Sequence, residues 1–203
     1  MRISVLLYAS VLIGFGCTKN SEDAALTEML FQVNPDLISH KVEFNTLGFS
    51  LHPPAGWQPV PDSTFEKFRS RIGPADPDAV LQIKPVALFI NHETQNVFSV
   101  SQIDVSGEIN LSQIADMVEK QVAFDQGGRK VKRHRFLKED LIIEQLFMQD
   151  LLYVVVKLLF ETPKGFVQLD YTCRKSEYEK ESKAIESSIG TIMSNKNLGG
   201  AHV

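Results

Sequence analysis

Leu151-Leu152-Tyr153-Val154-Val155-Val156-Lys157-Leu158-Leu159-Phe160-Glu161, the turn Thr162-Pro163-Lys164-Gly165, and Phe166-Val167-Gln168-Leu169-Asp170-Tyr171-Thr172-Cys173 decide the fold. Successive residues of a strand point to opposite faces. Leu152, Val154, Val156, Leu158 and Phe160 therefore make one wholly apolar face. Leu151, Tyr153, Val155 and Leu159 make the other, interrupted only by Lys157. A strand apolar on both faces is covered on both, which predicts a place in the sheet centre with helices on each side. Pro163 presets φ and Gly165 tolerates positive φ, so the turn predicts a hairpin. The returning strand alternates, with Val167, Leu169, Tyr171 and Cys173 set against Gln168, Asp170 and Thr172.

The pattern continues in both directions. Downstream, a helix is expected from near Ser176, with Tyr178, Ser182, Ile185, Ile189 and Met193 along its buried side. Residues from Asn195 on, with Gly199-Gly200, read as a frayed tail. Upstream, Val131 to Phe136 and Leu141 to Met148 read as strands. Leu111, Ile114, Val118 and Val122 mark one face of a helix that ends before Gln126-Gly127-Gly128. Val80 to Ile90 holds one or two strands interrupted by Pro85, and Asn91 to Thr94 is a hairpin tip leading into Val97 to Val105. Ser63 and Glu66 have the spacing of a capping box, followed by Phe65, Phe68 and Ile72 at helical intervals, a stop at Gly73-Pro74 and a loop at Asp76-Pro77-Asp78. Val42 and Phe44 pair with Phe49-Ser50-Leu51 around a turn at Asn45 to Gly48, and Pro53-Pro54 and Gly56 break the ladder. The expected class is α+β: an α/β/α sandwich with a central, mostly antiparallel sheet and helices on both faces. There is no internal repeat.

The first residues give an address. Met1-Arg2 leads into an apolar run from Ile3 to Phe15 that stops at Gly16-Cys17. A run of about 13 residues falls short of the roughly 20 that span a bilayer. The anatomy is that of a bacterial lipoprotein signal, in which Cys17 is acylated and becomes the new N-terminus. Gly14 and Phe15 depart from the usual Leu and Ala or Ser before the cysteine, while Gly16 and the polar Thr18-Lys19-Asn20-Ser21 fit. An ordinary cleaved secretory signal and an uncleaved anchor are the alternatives. Two acyl-type attachments hold a protein where one binds only marginally. Thr18, not being Asp, favours the outer membrane in a Gram-negative envelope. The expected organisation is a signal over 1–16, a lipidated cysteine and tether over 17–40, one domain over 41–193 and a flexible tail over 194–203. Within the tether, Ser21-Glu22-Asp23 is read as the start of a short helix carrying Leu26, Met29 and Leu30, ended by Pro35.

The chain has 203 residues and a net charge of −4, one unit more negative once Arg2 is removed. A mildly acidic exported chain excludes nucleic acid as the expected partner. With Cys17 lipidated, Cys173 stands alone, so no intrachain disulfide is expected and Cys173 reads as a buried thiol.

No Gly-x-Ser-x-Gly elbow, Cys-x-x-Cys pair or phosphate-cradling glycine loop occurs, and His92-Glu93 lacks the second histidine of a zinc protease. A catalytic set, a cofactor and a metal are not expected, although His40 and His52 with a carboxylate form a conceivable minor metal reading. The sharpest charge feature is Arg129-Lys130-Val131-Lys132-Arg133-His134-Arg135. Charge on both faces of a strand keeps a sheet edge from pairing with other chains. The same residues, Arg129, Lys130, Lys132, Arg133 and Arg135, are the candidate docking surface for an acidic partner or anionic head groups. Trp57 is either a core plug or a surface anchor, with core or semi-buried packing the favoured reading because a tryptophan buries a large apolar area. Phe65 and Phe68 read as core more than as a ligand cage.

Leu47-Gly48-Phe49-Ser50-Leu51-His52-Pro53-Pro54-Ala55-Gly56-Trp57 and Gly165-Phe166-Val167-Gln168-Leu169-Asp170-Tyr171-Thr172, with the helix bearing Tyr178, Ile185 and Ile189, resemble the PsbP-like family. That family includes the extrinsic PsbP protein of photosystem II, the Ran-binding Mog proteins and many bacterial lipoproteins. The resemblance implies an α/β/α sandwich and non-enzymatic binding or assembly. It transfers no metal or partner site. The lipoprotein signal argues against Mog-type nuclear work. The functional expectation is a non-enzymatic, lipid-anchored cell-envelope protein that binds or helps assemble another envelope component. The alternative is a carrier of a small apolar ligand or lipid, with Trp57 at its pocket.

Overall fold

A computed structural model describes residues 26–72, 79–125 and 131–195. In chain order the elements are β1 (Val42–Phe44), β2 (Phe49–Leu51), β3 (Trp57–Pro59), α1 (Asp62–Ile72), β4 (Leu81–Asn91), β5 (Val97–Val105), α2 (Leu111–Asp125), β6 (Val131–Lys138), β7 (Leu141–Gln149), β8 (Tyr153–Thr162), β9 (Gly165–Arg174), α3 (Lys175–Gly190) and β10 (Met193–Ser194). The signal segment, the helix start at Ser21-Glu22-Asp23, the stop at Gly73-Pro74, the loop at Asp76-Pro77-Asp78, the turn at Gly127-Gly128 and the tail from 196 lie outside the described residues.

β8 and β9 form the expected hairpin, paired from Tyr153–Arg174 to Thr162–Gly165. They are interior strands of a seven-stranded sheet ordered β3-β4-β5-β9-β8-β7-β6, all of whose pairings are antiparallel. The two apolar faces of β8 feed two cores. Val156, Leu158 and Phe160 join Ile185 and Ile189 of α3 on one face. Leu159 joins Ile114, Ala115 and Val118 of α2 on the other. α1 lies on the α2 side, where Phe68 and Val122 line one cleft. The fold is thus α+β, with helices on both faces of an antiparallel sheet.

Pro85 does not split β4. The register against β5 slips between Pro85 and Ala87, a β-bulge on a stretch that β3 does not reach, where the missing proline N–H costs no ladder bond. α1 begins one residue before the expected capping box. The Thr64 and Phe65 amides both donate to the Pro61 carbonyl, which puts Ser63 inside the first turn.

α3 stops at Gly190, earlier than its periodicity suggests. Met193, expected on the helix's buried side, is exposed and pairs through β10 with β2. β1, β2 and β10 form a separate three-stranded sheet. Phe49 of that sheet meets Phe160 edge-on at 5.3 Å. Gly48, at φ 72°, turns the β1–β2 hairpin where a Cβ would meet Lys164 Cγ at 2.9 Å, so glycine is required both for the turn and for the close approach.

The segment read as tether is not free from Leu26 onward. Residues 26–34 form no helix, with a bridge at Glu28 and extended backbone at Asn34, and Pro35–Leu37 form a single 3-10 turn. Met29 N–H donates to Leu137 O, and Leu137 N–H to Thr27 O, a parallel bridge on the outer edge of β6. Phe31 packs on Phe136 at 5.7 Å, and Asn34 N–H donates to Ser187 Oγ of α3. This strap fits because Gly190 has no side chain: a Cβ there would come within 2.7 Å of Phe31 Cβ. Its backbone finds an unpaired sheet edge and its phenyl ring a core position. Both outweigh the local helix pattern.

Candidate functional site

Trp57 starts β3 and faces the α3 side of the sheet. Its ring is 2% exposed and meets Tyr171 edge-on at 6.3 Å, and Nε1–H donates to Glu181 Oε2 at 3.3 Å. Tyr171 stacks on Phe98 at 4.4 Å, and Phe98 meets Phe89 at 5.4 Å. Trp57 is therefore the first ring of an aromatic row through the core. Tyr171 OH bonds Ser188 Oγ at 3.0 Å, and Ser188 in turn donates to His52 O. That chain ties the main sheet to α3 and to the small sheet. Burial pushes the Tyr171 phenol above its ordinary pKa.

The basic strand is β6, at the sheet edge. Lys132 and His134 are exposed. Arg133 is not free for a partner. Its Nε–H donates to Glu144 Oε2 at 2.9 Å, its Nη1 pairs with Asp116, and its Nη2 donates to Ser112 Oγ at 3.1 Å. The hydrogen bond to Glu144, ahead of the other causes, raises the guanidinium above its ordinary pKa. Arg135 contacts Glu144 Oε1 at 3.3 Å. Arg133 thereby clamps α2 to the sheet. The charge run reads as one cationic stripe in sequence, but the carboxylates that neutralise its centre come from β7 and α2. Arg129 and Lys130 lie outside the described residues.

A surface that periodicity did not single out lies at the β7–β8 turn. Leu151 is 89% exposed, and Leu152 and Tyr153 are also exposed. Their backbone is fixed: Asp150 Oδ1 accepts from the Leu152 and Tyr153 amides, and Lys175 N–H donates to Leu152 O. Tyr153 stands opposite Arg174 in the register. Arg174 and Lys175 make no ion pair among the described residues. The turn is thus two outward leucines, held rigid, with cations beside them. Their sequence signal was apolarity continued past the last paired residue, which read as strand.

No family model and no curated protein matches the chain. A solved structure does: the solution structure of cyanobacterial PsbP (CyanoP) from Synechocystis sp. PCC 6803, with a TM-score of 0.54 at 9% identity, covering 78% of this chain and 93% of that one. The fold is PsbP-like. At that identity the likeness speaks for the architecture alone.

In this PsbP-like body Cys173 is buried and unpaired on β9, and burial pushes its thiol up to about 12. A thiol so protonated is a poor nucleophile at neutral pH. Because the folded pKa lies above the unfolded one, its contribution is complete below the unfolded value of about 8.5 and declines as pH rises above it. His40 and His52 share a shallow hollow, and His52 Nδ1 is engaged by Ser39 O at 2.8 Å. Among the described residues no group of His, Cys, Asp or Glu is placed to hold a metal ion. No helix among them is long and apolar enough to cross a membrane. Cys17 lies outside the described residues.

Proposed function

We propose that this protein is a non-enzymatic, lipid-anchored cell-envelope protein that binds or helps assemble another envelope component. The observation that carries the reading is the β7–β8 turn, with Leu151 and Leu152 presented on a fixed backbone beside Arg174 and Lys175. Exposed apolar side chains on a backbone fixed before contact lose less entropy on binding than those of a loose loop, and flanking cations select partners and speed encounter. The partner that fits is an envelope protein with an apolar recess rimmed by carboxylates. Lys132, exposed near the start of β6, belongs to the same end of the sheet. The envelope address rests on the signal anatomy ending at Gly16-Cys17, with acylation at Cys17, on the periplasmic side and favouring the outer membrane where there are two.

Brief in-cell crosslinking, followed by purification of the full chain from gently solubilised membranes, should recover one stoichiometric envelope protein. The double variant Leu151→Ser, Leu152→Ser should weaken that capture about tenfold or more. Its stability should stay within about 0.5 kcal/mol, since both side chains are already in water. Undiminished capture removes this turn from the interface. Recovery of anionic lipid without a protein assigns the turn to head groups instead. Cys17→Ser should abolish acyl labelling and either retain the precursor or release the protein from membranes. Unchanged labelling would remove the anchor from the proposal.

A further inference from the structure

Among the described residues, α1 and α2 leave part of their face of the sheet uncovered, and a cleft of about 510 Å³ opens between them. The pairings define its floor. Ser99 on β5 lies opposite Asp170 on β9, which lies opposite Lys157 on β8. One row along, Val97, Thr172, Val155 and Met148 follow in line across β5, β9, β8 and β7. Phe68 of α1 and Val122 of α2 form the walls. Phe68 is thus neither core nor fully solvated: it is 38% exposed, stacks on Phe65 at 6.4 Å and lines the cleft.

The polar groups on this floor are unequally satisfied. Asp170 takes Lys157 Nζ on Oδ1 at 2.5 Å and Gln168 Nε2 on Oδ2 at 2.7 Å. Lys157 is 8% exposed, and among the described residues its ammonium has Asp170 as its one acceptor. An ammonium has three N–H groups to place. The hydroxyls of Ser99 and Thr172, which line the same cleft, have no hydrogen-bond partner among the described residues. The floor therefore has N–H and O–H groups without a protein acceptor among the described residues, and each oxygen of its carboxylate already accepts one hydrogen bond, under apolar walls. A nearly buried ammonium with unmet donors is costly, and an incoming oxyanion relieves that cost. The volume lies within the range of about 300–1,000 Å³ usual for small-molecule sites.

We infer that this cleft binds an apolar molecule carrying one carboxylate, with the acid group on Lys157 and the chain along Phe68, Val122 and Met148. The site is separate from the β7–β8 turn and does not depend on the docking reading. It also differs from a pocket at Trp57, whose ring is enclosed in the opposite core.

The test is titration calorimetry of the full chain in phospholipid nanodiscs, with empty nanodiscs as blank and with octanoate, 1-octanol and octyltrimethylammonium as probes of equal chain length. Octanoate should bind at least about tenfold more tightly than octanol, and the cation more weakly than either. Ser99→Trp fills the floor beside Asp170 while leaving Lys157 and Asp170 themselves unsubstituted, and should abolish octanoate binding in a variant whose melting temperature shows it folded. Phe68→Asp changes a half-exposed helix position, so it is expected to fold even if Ser99→Trp does not. It should weaken octanoate by about tenfold or more through repulsion and lost apolar contact. Equal binding of octanoate and octanol overturns the role of Lys157. Preference for the cation transfers recognition to Asp170 and overturns the inference as stated. Absence of octanoate binding, or binding that a folded cleft variant leaves unchanged, overturns the site.

Discussion

Trp57→Ala should destabilise the protein by about 4 kcal/mol, near the middle of the range for removing a buried tryptophan ring. For a domain of this size that lowers the melting temperature by roughly 12 °C. The ring is 2% exposed and supports Tyr171, which supports Phe98 in turn, so the cavity opens at the end of a packed row and not at a surface that can collapse. Trp57→Phe should cost less, about 1.5 kcal/mol, since it keeps most of the ring but loses the hydrogen bond to Glu181. Urea melts followed by circular dichroism are the suitable readout, because Trp57 is the sole tryptophan and its removal abolishes the usual fluorescence signal. An alanine variant as stable as the parent would place Trp57 outside the core.

Arg133→Met should cost about 3 kcal/mol, the scale expected when one partner of a buried ion pair is removed and the other is left behind. Glu144 is 0% exposed, and Arg133 supplies its hydrogen bond at 2.9 Å. Arg135 approaches the other oxygen at 3.3 Å, yet that oxygen has no hydrogen-bond partner among the described residues. The same deletion releases Asp116 and Ser112 of α2. Adding Glu144→Leu to Arg133→Met should recover most of the loss, because two apolar side chains of similar volume replace a desolvated pair. A double variant no more stable than Arg133→Met would mean that the clamp on α2, and not the stranded carboxylate, is what matters. The design of any docking experiment follows: charge reversal at Arg133 perturbs folding, whereas Lys132 is exposed and can be changed alone.

The fold was legible in the sequence where one period and one burial pattern agreed. β8 and β9 alternate or are apolar throughout, their turn contains Pro163 and Gly165, and α2 repeats its apolar residues at helical spacing; all three lie where that reading places them. The end of α3 was not legible, because Ile189 and Met193 keep helical spacing while the chain turns at Gly190 to add a strand to β2. The strap was not legible either. Leu26, Met29 and Leu30 fit a short amphipathic helix until the open edge at Leu137 offers the backbone of Thr27 and Met29 a partner. For the surfaces, residue types were visible and their partners were not. Arg133 looks like its neighbours in sequence, and its distinction comes from Glu144, 11 positions away on the adjoining strand, and from Asp116 on a helix. Phe68 has core spacing but lies where two helices stand apart. Nothing local to α1 encodes that gap.

The strap carries a consequence for the order of assembly. Asn34 reaches Ser187 across 153 positions of chain, and Phe31 lies where Gly190 leaves room. The β8–β9 hairpin closes over the four residues 162–165, so it can form as soon as that stretch is available. Contacts so local form early, while those that must close a loop of the whole chain come late. The segment can meet the β6 edge earlier, but its seat on Ser187 and Gly190 forms only after the C-terminal helix exists. A chain delivered N-terminus first therefore completes the seat of residues 31–34 only when its C-terminal helix arrives. The last contacts to close are then those that bring residues 31–34 to that helix.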